Sequence, residues 1–163
     1  MKNKKDNIAE YILWLWQLED YLRAFPRTRT AAANASSEDM QFLDELNDMM
    51  HREGVVETGH VQLAQNALRE LEELHITLLE DNASYRAAMI RLTPSLNVLK
   101  SKTDRPTMSD IEACLTLLYQ VMLLRLQHKA ITPSTMEVQA QATRLLQFLS
   151  KTYHHISVSP PAS

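Results

Sequence analysis

The sequence predicts an all-α protein, a single compact bundle of about six helices whose neighbours are mostly antiparallel. Glycine occurs only twice, at Gly54 and Gly59, whereas sheet proteins usually place glycine in their turns. Leucine, alanine, methionine, glutamate and glutamine are abundant, and all of them favour helix. Apolar residues also recur three and four positions apart, which is the spacing of one helix face.

Start and stop signals place the first three helices. Asn7 and Glu10 have the spacing of a capping box, so the first helix begins there, and Pro26 ends it because proline lacks a backbone donor. Gly54 closes the second helix, since glycine readily adopts the left-handed conformation found after a helix. The connector VVETGH leads to the third helix. The expected bounds are about Asn7 to Phe25, Ser36 or Ser37 to Glu53, and His60 to Glu80.

The last three helices carry similar signals. Pro94 interrupts the fourth helix, which should either kink there or split with Thr93 as a new cap. Ser109 and Glu112 form the best capping box in the chain and open the fifth helix. Thr132 caps the sixth helix, because the proline that follows suits the first helical position. The expected bounds are about Tyr85 to Lys100, Ser109 to Lys129 and Thr132 to His154, in one domain over residues 1–156 with a disordered tail over residues 157–163.

Charge and composition exclude several classes of function. The net charge is −3 and no helix carries a basic reading face, so we expect no nucleic-acid partner. The longest apolar run, Ile111 to Leu126, is too short to cross a bilayer, so we expect no membrane partner. The single cysteine, Cys114, allows no internal disulfide, which fits a reducing compartment and a cytoplasmic location.

Polar residues on apolar helix faces are the first candidates for a site. Glu19 lies in the apolar stripe of the first helix, while Asp20 lies opposite; on the fifth helix Arg125 is surrounded by apolar residues, while Glu112 belongs to the polar edge. Because an unpaired buried charge is very costly, we predict an ion pair between Glu19 and Arg125 that joins the two helices. The alternative is that Glu19 pairs with Arg23 one turn on and Arg125 extends into water.

His75 and Trp16 complete this candidate buried polar cluster of Glu19, Arg125, His75 and Trp16. His75 lies among leucines of the third helix, where a histidine is usually a core residue whose ring nitrogen bonds a carbonyl or a side chain; ligand binding is the alternative. Trp16 flanks the stripe and can line a pocket, although packing in a core or interface is the commoner role.

A candidate turn site surrounds the two glycines and consists of His51, Glu57 and His60. These side chains suit zinc or iron, but their spacing matches no strong signature, and the plainer interpretation is a solvated turn whose geometry His60 fixes. Two Glu-x-x-His spacings, ending at His60 and His75, resemble those of di-iron bundles. Since they lie roughly 22 Å apart on one helix, they cannot share a centre. We therefore predict no metal and no other cofactor.

No catalytic motif is present. The chain lacks a G-x-S-x-G elbow, a phosphate loop and a dinucleotide fingerprint. Cys114 lies in an apolar run, which favours an inert buried thiol over a nucleophile. We therefore predict no catalytic residue, and the sequence argues against an enzyme without excluding one.

Three segments together resemble a family of small helical proteins of Bacteroidetes bacteria that is known only as a domain of unknown function. They are NIAEYILWLWQLEDYLRAF, MMHREGVVETGHVQ and LYQVMLLRLQHKAITP. The resemblance covers nearly the whole chain except the RTRTAAANAS loop and the tail; it implies the helical fold and a bacterial cytoplasmic setting, and it implies no chemistry. The matching positions include Trp16, Glu19, Asp20, Gly54, Gly59, His60, Leu124, Arg125 and Leu126.

Two functions remain open. The leading one is a non-enzymatic helical interaction protein, either a small adaptor or a homo-oligomer, because apolar residues spread almost around the first and fifth helices. The alternative is a ligand- or metal-binding helical bundle, which includes the case of an enzyme, with polar residues converging from helices one, three and five.

Overall fold

A computed structural model describes residues 1–26 and 38–159. Over these ranges it contains six α-helices and no strand, so the predicted all-α class is confirmed. The helices are α1 (Ile8–Ala24), α2 (Glu38–Glu53), α3 (Gln62–Asp81), α4 (Ala83–Ser101), α5 (Asp110–Leu126) and α6 (Pro133–Val158). The expected caps Ser36 and Ser37 of α2, and the loop before them, lie outside the described residues.

Capping side chains begin α1, α5 and α6 as the sequence predicts. Asn7 accepts the Glu10 amide at the start of α1, and Ser109 accepts the Glu112 amide at the start of α5. Thr132 caps α6, with proline in its first turn. These bonds satisfy amides that have no partner inside their own helix.

Gly54 ends α2 with φ +70°. The Gly54 amide donates to the carbonyl of His51 and the Val55 amide donates to that of Met50, which is the Schellman arrangement. Further along, α5 stops at Leu126 rather than near Lys129.

The fourth helix is not divided by its proline. α4 runs unbroken through Pro94, and Thr93 caps nothing, because its hydroxyl donates to the Met89 carbonyl at 2.8 Å. Pro94 has no amide hydrogen to donate to the Ile90 carbonyl four residues earlier. Both residues are exposed, so water can satisfy that carbonyl. α4 therefore does not split at Pro94, which excludes one of the two expected outcomes.

The C-terminal helix is longer than expected. α6 ends at Val158 rather than near His154, so residues 157 and 158, which we assigned to the tail, are helical. Residues 160–163 lie outside the described part of the chain.

The core forms where α1, α3, α4, α5 and α6 pack on one another, while α2 packs mainly on α1. Trp14 of α1 stacks on Phe42 of α2 with ring centroids 5.0 Å apart. α1 and α5 run antiparallel, because Tyr119 reaches Asp20 while Met122, further along α5, contacts the earlier Gln17. None of the described helices combines the length and apolarity needed to cross a membrane.

Candidate functional site

Glu19 is fully buried in α1, as its stripe position predicts, but its partners come from the connector before α3. Its Oε1 accepts a hydrogen bond from Nδ1 of His60 at 2.8 Å, and its Oε2 accepts one from the backbone amide of Val61 at 2.7 Å. Val61 is the N-cap residue of α3, and its own side chain makes no capping hydrogen bond. The Glu19 carboxylate from α1 caps the N-terminus of α3 instead. The positive end of the α3 dipole also favours the negative charge there.

The predicted ion pair between Glu19 and Arg125 does not form. Arg125 is exposed and its Nη2 donates to Gln139 of α6 at 3.0 Å. The antiparallel packing explains the error, since Tyr119 lies level with Asp20 and Arg125 follows it by six residues. At about 1.5 Å per residue this places Arg125 about 9 Å beyond the level of Asp20 and about 7.5 Å beyond that of Glu19.

Arg23 binds the turn that carries His60, instead of pairing with Glu19. Its guanidinium donates to the backbone carbonyls of Val55, Val56 and Gly59 and pairs with Asp20 at 2.9 Å. Gly59 has φ +95°, and a Cβ there would lie 3.3 Å from the Val55 side chain. The turn is therefore held against α1 by one side chain and by a backbone shape that requires glycine.

Aromatic rings orient the His60 imidazole. It stacks on Trp16 with centroids 4.7 Å apart and planes at 16°, and Trp16 meets the Tyr119 ring edge-on at 5.9 Å. The Tyr119 hydroxyl donates a hydrogen bond to Asp20. The pKa of Tyr119 is raised mainly by burial and, to a smaller extent, by this hydrogen bond. Because a carboxylate only accepts, Nδ1 of His60 carries the proton, which leaves Nε2 as the acceptor of the neutral ring.

His60 lines a cleft of about 810 Å³, which we call the His60–Glu112 cleft. Its walls come from the turn before α3, from α3 itself, and from the connector and first turn of α5. The lining residues are Trp16, Thr58, Gly59, His60, Ala64, Gln65, Leu68, Arg69, Glu72, Asp104, Arg105, Thr107, Met108, Ser109 and Glu112.

Glu112 is the lining residue that the helical pattern misplaced. It is only 7% exposed, although we assigned it to the polar edge of its helix. Its Oε1 accepts from Arg105 at 3.2 Å, and its Oε2 is buried with no hydrogen-bond partner in the described residues. The sequence signal is the run of residues 111–115, in which every residue except Glu112 is apolar. All five residues are buried, because the first turn of α5 is enclosed on all sides.

His75 lies apart from Glu19 in a different contact. Its Nδ1 is 2.6 Å from the Tyr85 hydroxyl of α4. Burial lowers the pKa of His75 and raises that of Tyr85. The candidate cluster of Glu19, Arg125, His75 and Trp16 therefore does not assemble: Glu19 and Trp16 share His60, His75 has Tyr85, and Arg125 is on the surface.

The candidate turn site does not assemble either. His51 bonds the Asn47 carbonyl of its own helix at 2.8 Å, Glu57 is exposed, and His60 turns to Glu19. Within residues 1–26 and 38–159, no three His, Cys, Asp or Glu side chains are placed to hold a metal ion. Cys114 is buried, and burial raises its thiol pKa to about 12, so it is protonated at neutral pH.

Comparison with known proteins identifies the family. The model of the domain of unknown function DUF4924 matches residues 1–158, and the chain belongs to that family. No curated protein and no solved structure matches the chain.

Proposed function

We propose that the protein binds a small polar ligand in the His60–Glu112 cleft. The observation that carries the proposal is the buried Oε2 of Glu112, which has no donor among the described residues. Leaving a buried acceptor unpaired costs on the order of 1–3 kcal/mol, and more when it is charged. Glu112 lines the cleft, so a ligand that turns its side chain toward the cleft and donates a hydrogen bond to this oxygen recovers that energy.

A preoriented partner for the ligand supports the proposal. The His60 ring is held by Glu19, by Trp16 and, through its turn, by Arg23, so Nε2 needs no reordering when a ligand binds. Preorganisation of this kind lowers the entropic cost of association. Neither Glu19 nor Arg23 needs to touch the ligand for this effect.

The lining charges narrow the ligand class. Arg69 and Arg105 are outnumbered by Glu72, Asp104 and Glu112, so the lining carries one more negative than positive charge and favours a neutral or cationic compound over an anion. The unpaired carboxylate oxygen requires a donor, and the His60 ring, stacked on the buried Trp16, offers an aromatic surface. A small amine, amidine or carboxamide meets these requirements, and we assign no reaction to the cleft.

Ligand-observed NMR with a fragment set of primary amines, amidines and carboxamides tests this proposal. At least one of these classes should bind the wild type and bind Glu112→Gln at least tenfold more weakly, because the new amide group presents a donor to the donor of the ligand. Glu137→Gln is the matched control, since Glu137 is exposed on α6 and lies outside the cleft. Absence of binding, or equal binding to both variants, contradicts the proposal.

A second function, as a non-enzymatic adaptor or homo-oligomer, is favoured by apolar side chains exposed at one end of the bundle. Leu126 at the end of α5 is 68% exposed and Met136 at the start of α6 is 50% exposed. We propose a second copy of this chain as the partner, with no role for nucleic acid. Light scattering should then give about twice the mass of 18.7 kDa, and Leu126→Ser should return it to that of a single chain; a wild-type protein of single mass argues against it.

We also propose that the protein works in the cytoplasm of a Bacteroidetes bacterium. The support is the resemblance of its three segments to that family and the single, buried cysteine, which suits a reducing compartment. Fractionation of such a bacterium with an antibody against the chain tests the location, and recovery from the periplasm contradicts it.

A further inference from the structure

A second cavity, of about 440 Å³, lies between α4 and α6 and shares no lining residue with the His60–Glu112 cleft. We call it the α4–α6 groove. Its walls are the first half of α4 and the middle of α6, each presenting residues three or four positions apart. The lining residues are Asn82, Ser84, Tyr85, Ala88, Arg91, Gln141, Arg144, Leu145 and Phe148.

Two arginines, one from each helix, give the groove its charge. Arg91 and Arg144 are both exposed, and in the described part of the chain neither has an ion pair or a side-chain hydrogen bond. They lie on a protein whose net charge is −3. Asn82 and Ser84 add the N-terminal end of α4, where the helix dipole is positive.

Two aromatic rings give the groove an apolar surface. Phe148 is 42% exposed, and it lies 6.0 Å from the Tyr85 ring at 32°. The Tyr85 ring is buried and its hydroxyl is 2.6 Å from His75. One ring is therefore fixed from below while the other is open to a ligand.

We propose that the α4–α6 groove binds a planar aromatic compound that carries one anionic group. The aromatic part packs on Phe148, while Arg91 and Arg144 hold the anion, for which the planar guanidinium fork is suited. A cavity of this size falls within the range of small-molecule sites, about 300–1,000 Å³, and accommodates a compound of two or three rings.

Two fluorescent probes separate the charge from the apolar contact. 1-Anilinonaphthalene-8-sulfonate carries the anion, and N-phenyl-1-naphthylamine has the same rings without it. The wild type should bind both probes, and the sulfonate more tightly. In the double variant Arg91→Gln/Arg144→Gln the affinity for the sulfonate should fall at least tenfold, while that for the neutral amine should change less than twofold.

A matched variant controls for overall charge. Lys129→Gln/Lys151→Gln removes two exposed cations that do not line the groove, and it should bind the sulfonate as the wild type does. Phe148→Ala should weaken both probes. Because the two arginines are exposed and unpaired among the described residues, the Arg91→Gln/Arg144→Gln variant should keep the circular dichroism spectrum and melting temperature of the wild type.

Three results overturn the proposal. The first is a wild type that binds neither probe or does not prefer the sulfonate. The second is a double arginine variant that retains its affinity for the sulfonate. The third is an equal loss in the lysine variant, which would assign the binding to net charge rather than to the groove.

Discussion

Two histidine contacts, one buried and one part-buried, show how the same ring serves two purposes in this bundle. His60 and His75 each use Nδ1, at 2.8 Å from Glu19 and 2.6 Å from Tyr85. His75 is 9% exposed and pairs with a neutral phenol on the next helix, whereas 29% of the His60 side chain is exposed at the cleft and its partner is a buried carboxylate. The first pair lies in the core, and the second holds a ring that lines the His60–Glu112 cleft.

The largest expected effect comes from removing the carboxylate. Glu19→Leu leaves the His60 ring and the buried Val61 amide without an acceptor, and bonds to charged groups are worth about 1.5–3 kcal/mol each. We therefore expect a loss of about 3 kcal/mol in the free energy of unfolding, measured by urea denaturation. Glu19→Gln keeps one acceptor and should lose less. A loss below about 1 kcal/mol in Glu19→Leu would contradict the buried contact.

The hydrogen bond between His75 and Tyr85 should contribute less to stability than the Glu19 contacts, because neither His75 nor Tyr85 is a charged group here. Tyr85→Phe removes only the hydroxyl and keeps the ring that packs on Phe148. We expect it to cost about 0.5–1.5 kcal/mol, the range for a hydrogen bond between neutral groups. The same urea titration measures it, and a loss as large as that of Glu19→Leu would erase the distinction between the two contacts.

Acid should reveal the difference between folded and unfolded His75. Burial lowers the pKa of folded His75 below 6.5, so the unfolded chain binds the proton more readily. The contribution of neutral His75 to the free energy of unfolding is present above the pKa of the unfolded chain and is lost as the pH falls through the pKa of the folded state. The free energy of unfolding then changes by at most about 1.4 kcal/mol per pH unit.

Unfolding free energies measured between pH 7.5 and pH 5 test this effect. His75→Gln should lose stability less steeply over that range than the wild type. His155→Gln removes an exposed histidine and should leave the slope nearly unchanged. Parallel curves for the wild type and His75→Gln would show that the proton affinity of His75 is the same in both states.

Residue spacing predicted the parts of this molecule that depend on one helix at a time. It placed Glu19 on a buried face, and the capping pairs marked the starts of α1, α5 and α6. Spacing describes rotation about a helix axis, however, and contains nothing on how far two helices slide past each other. The partner of Glu19 also lies in a connector, where no periodicity applies. Glu112 was missed because its burial arises from the surrounding chain, not from its own helix face.

Arg125→Met gives the smallest expected change in the free energy of unfolding. It distinguishes the direction in which a residue points from its helix from its position along the neighbouring helix. Arg125 has the inward helical angle that predicted a buried pair, for which losing one partner costs about 3–5 kcal/mol. In the structure its side chain donates a hydrogen bond to Gln139 at the surface, and surface contacts of this kind contribute about 0–1 kcal/mol. We expect a change of about 0.5 kcal/mol or less in urea denaturation.

The same substitution at Arg23 is the matched control for Arg125→Met. Arg23 binds three turn carbonyls and Asp20, so Arg23→Met should cost about 2 kcal/mol, in the range for bonds to charged groups. The ranking tests the register of α5 against α1, because only a shift of α5 by more than a turn brings Arg125 level with Glu19. A loss near 3 kcal/mol in Arg125→Met would require that shift and would move Tyr119 away from Asp20.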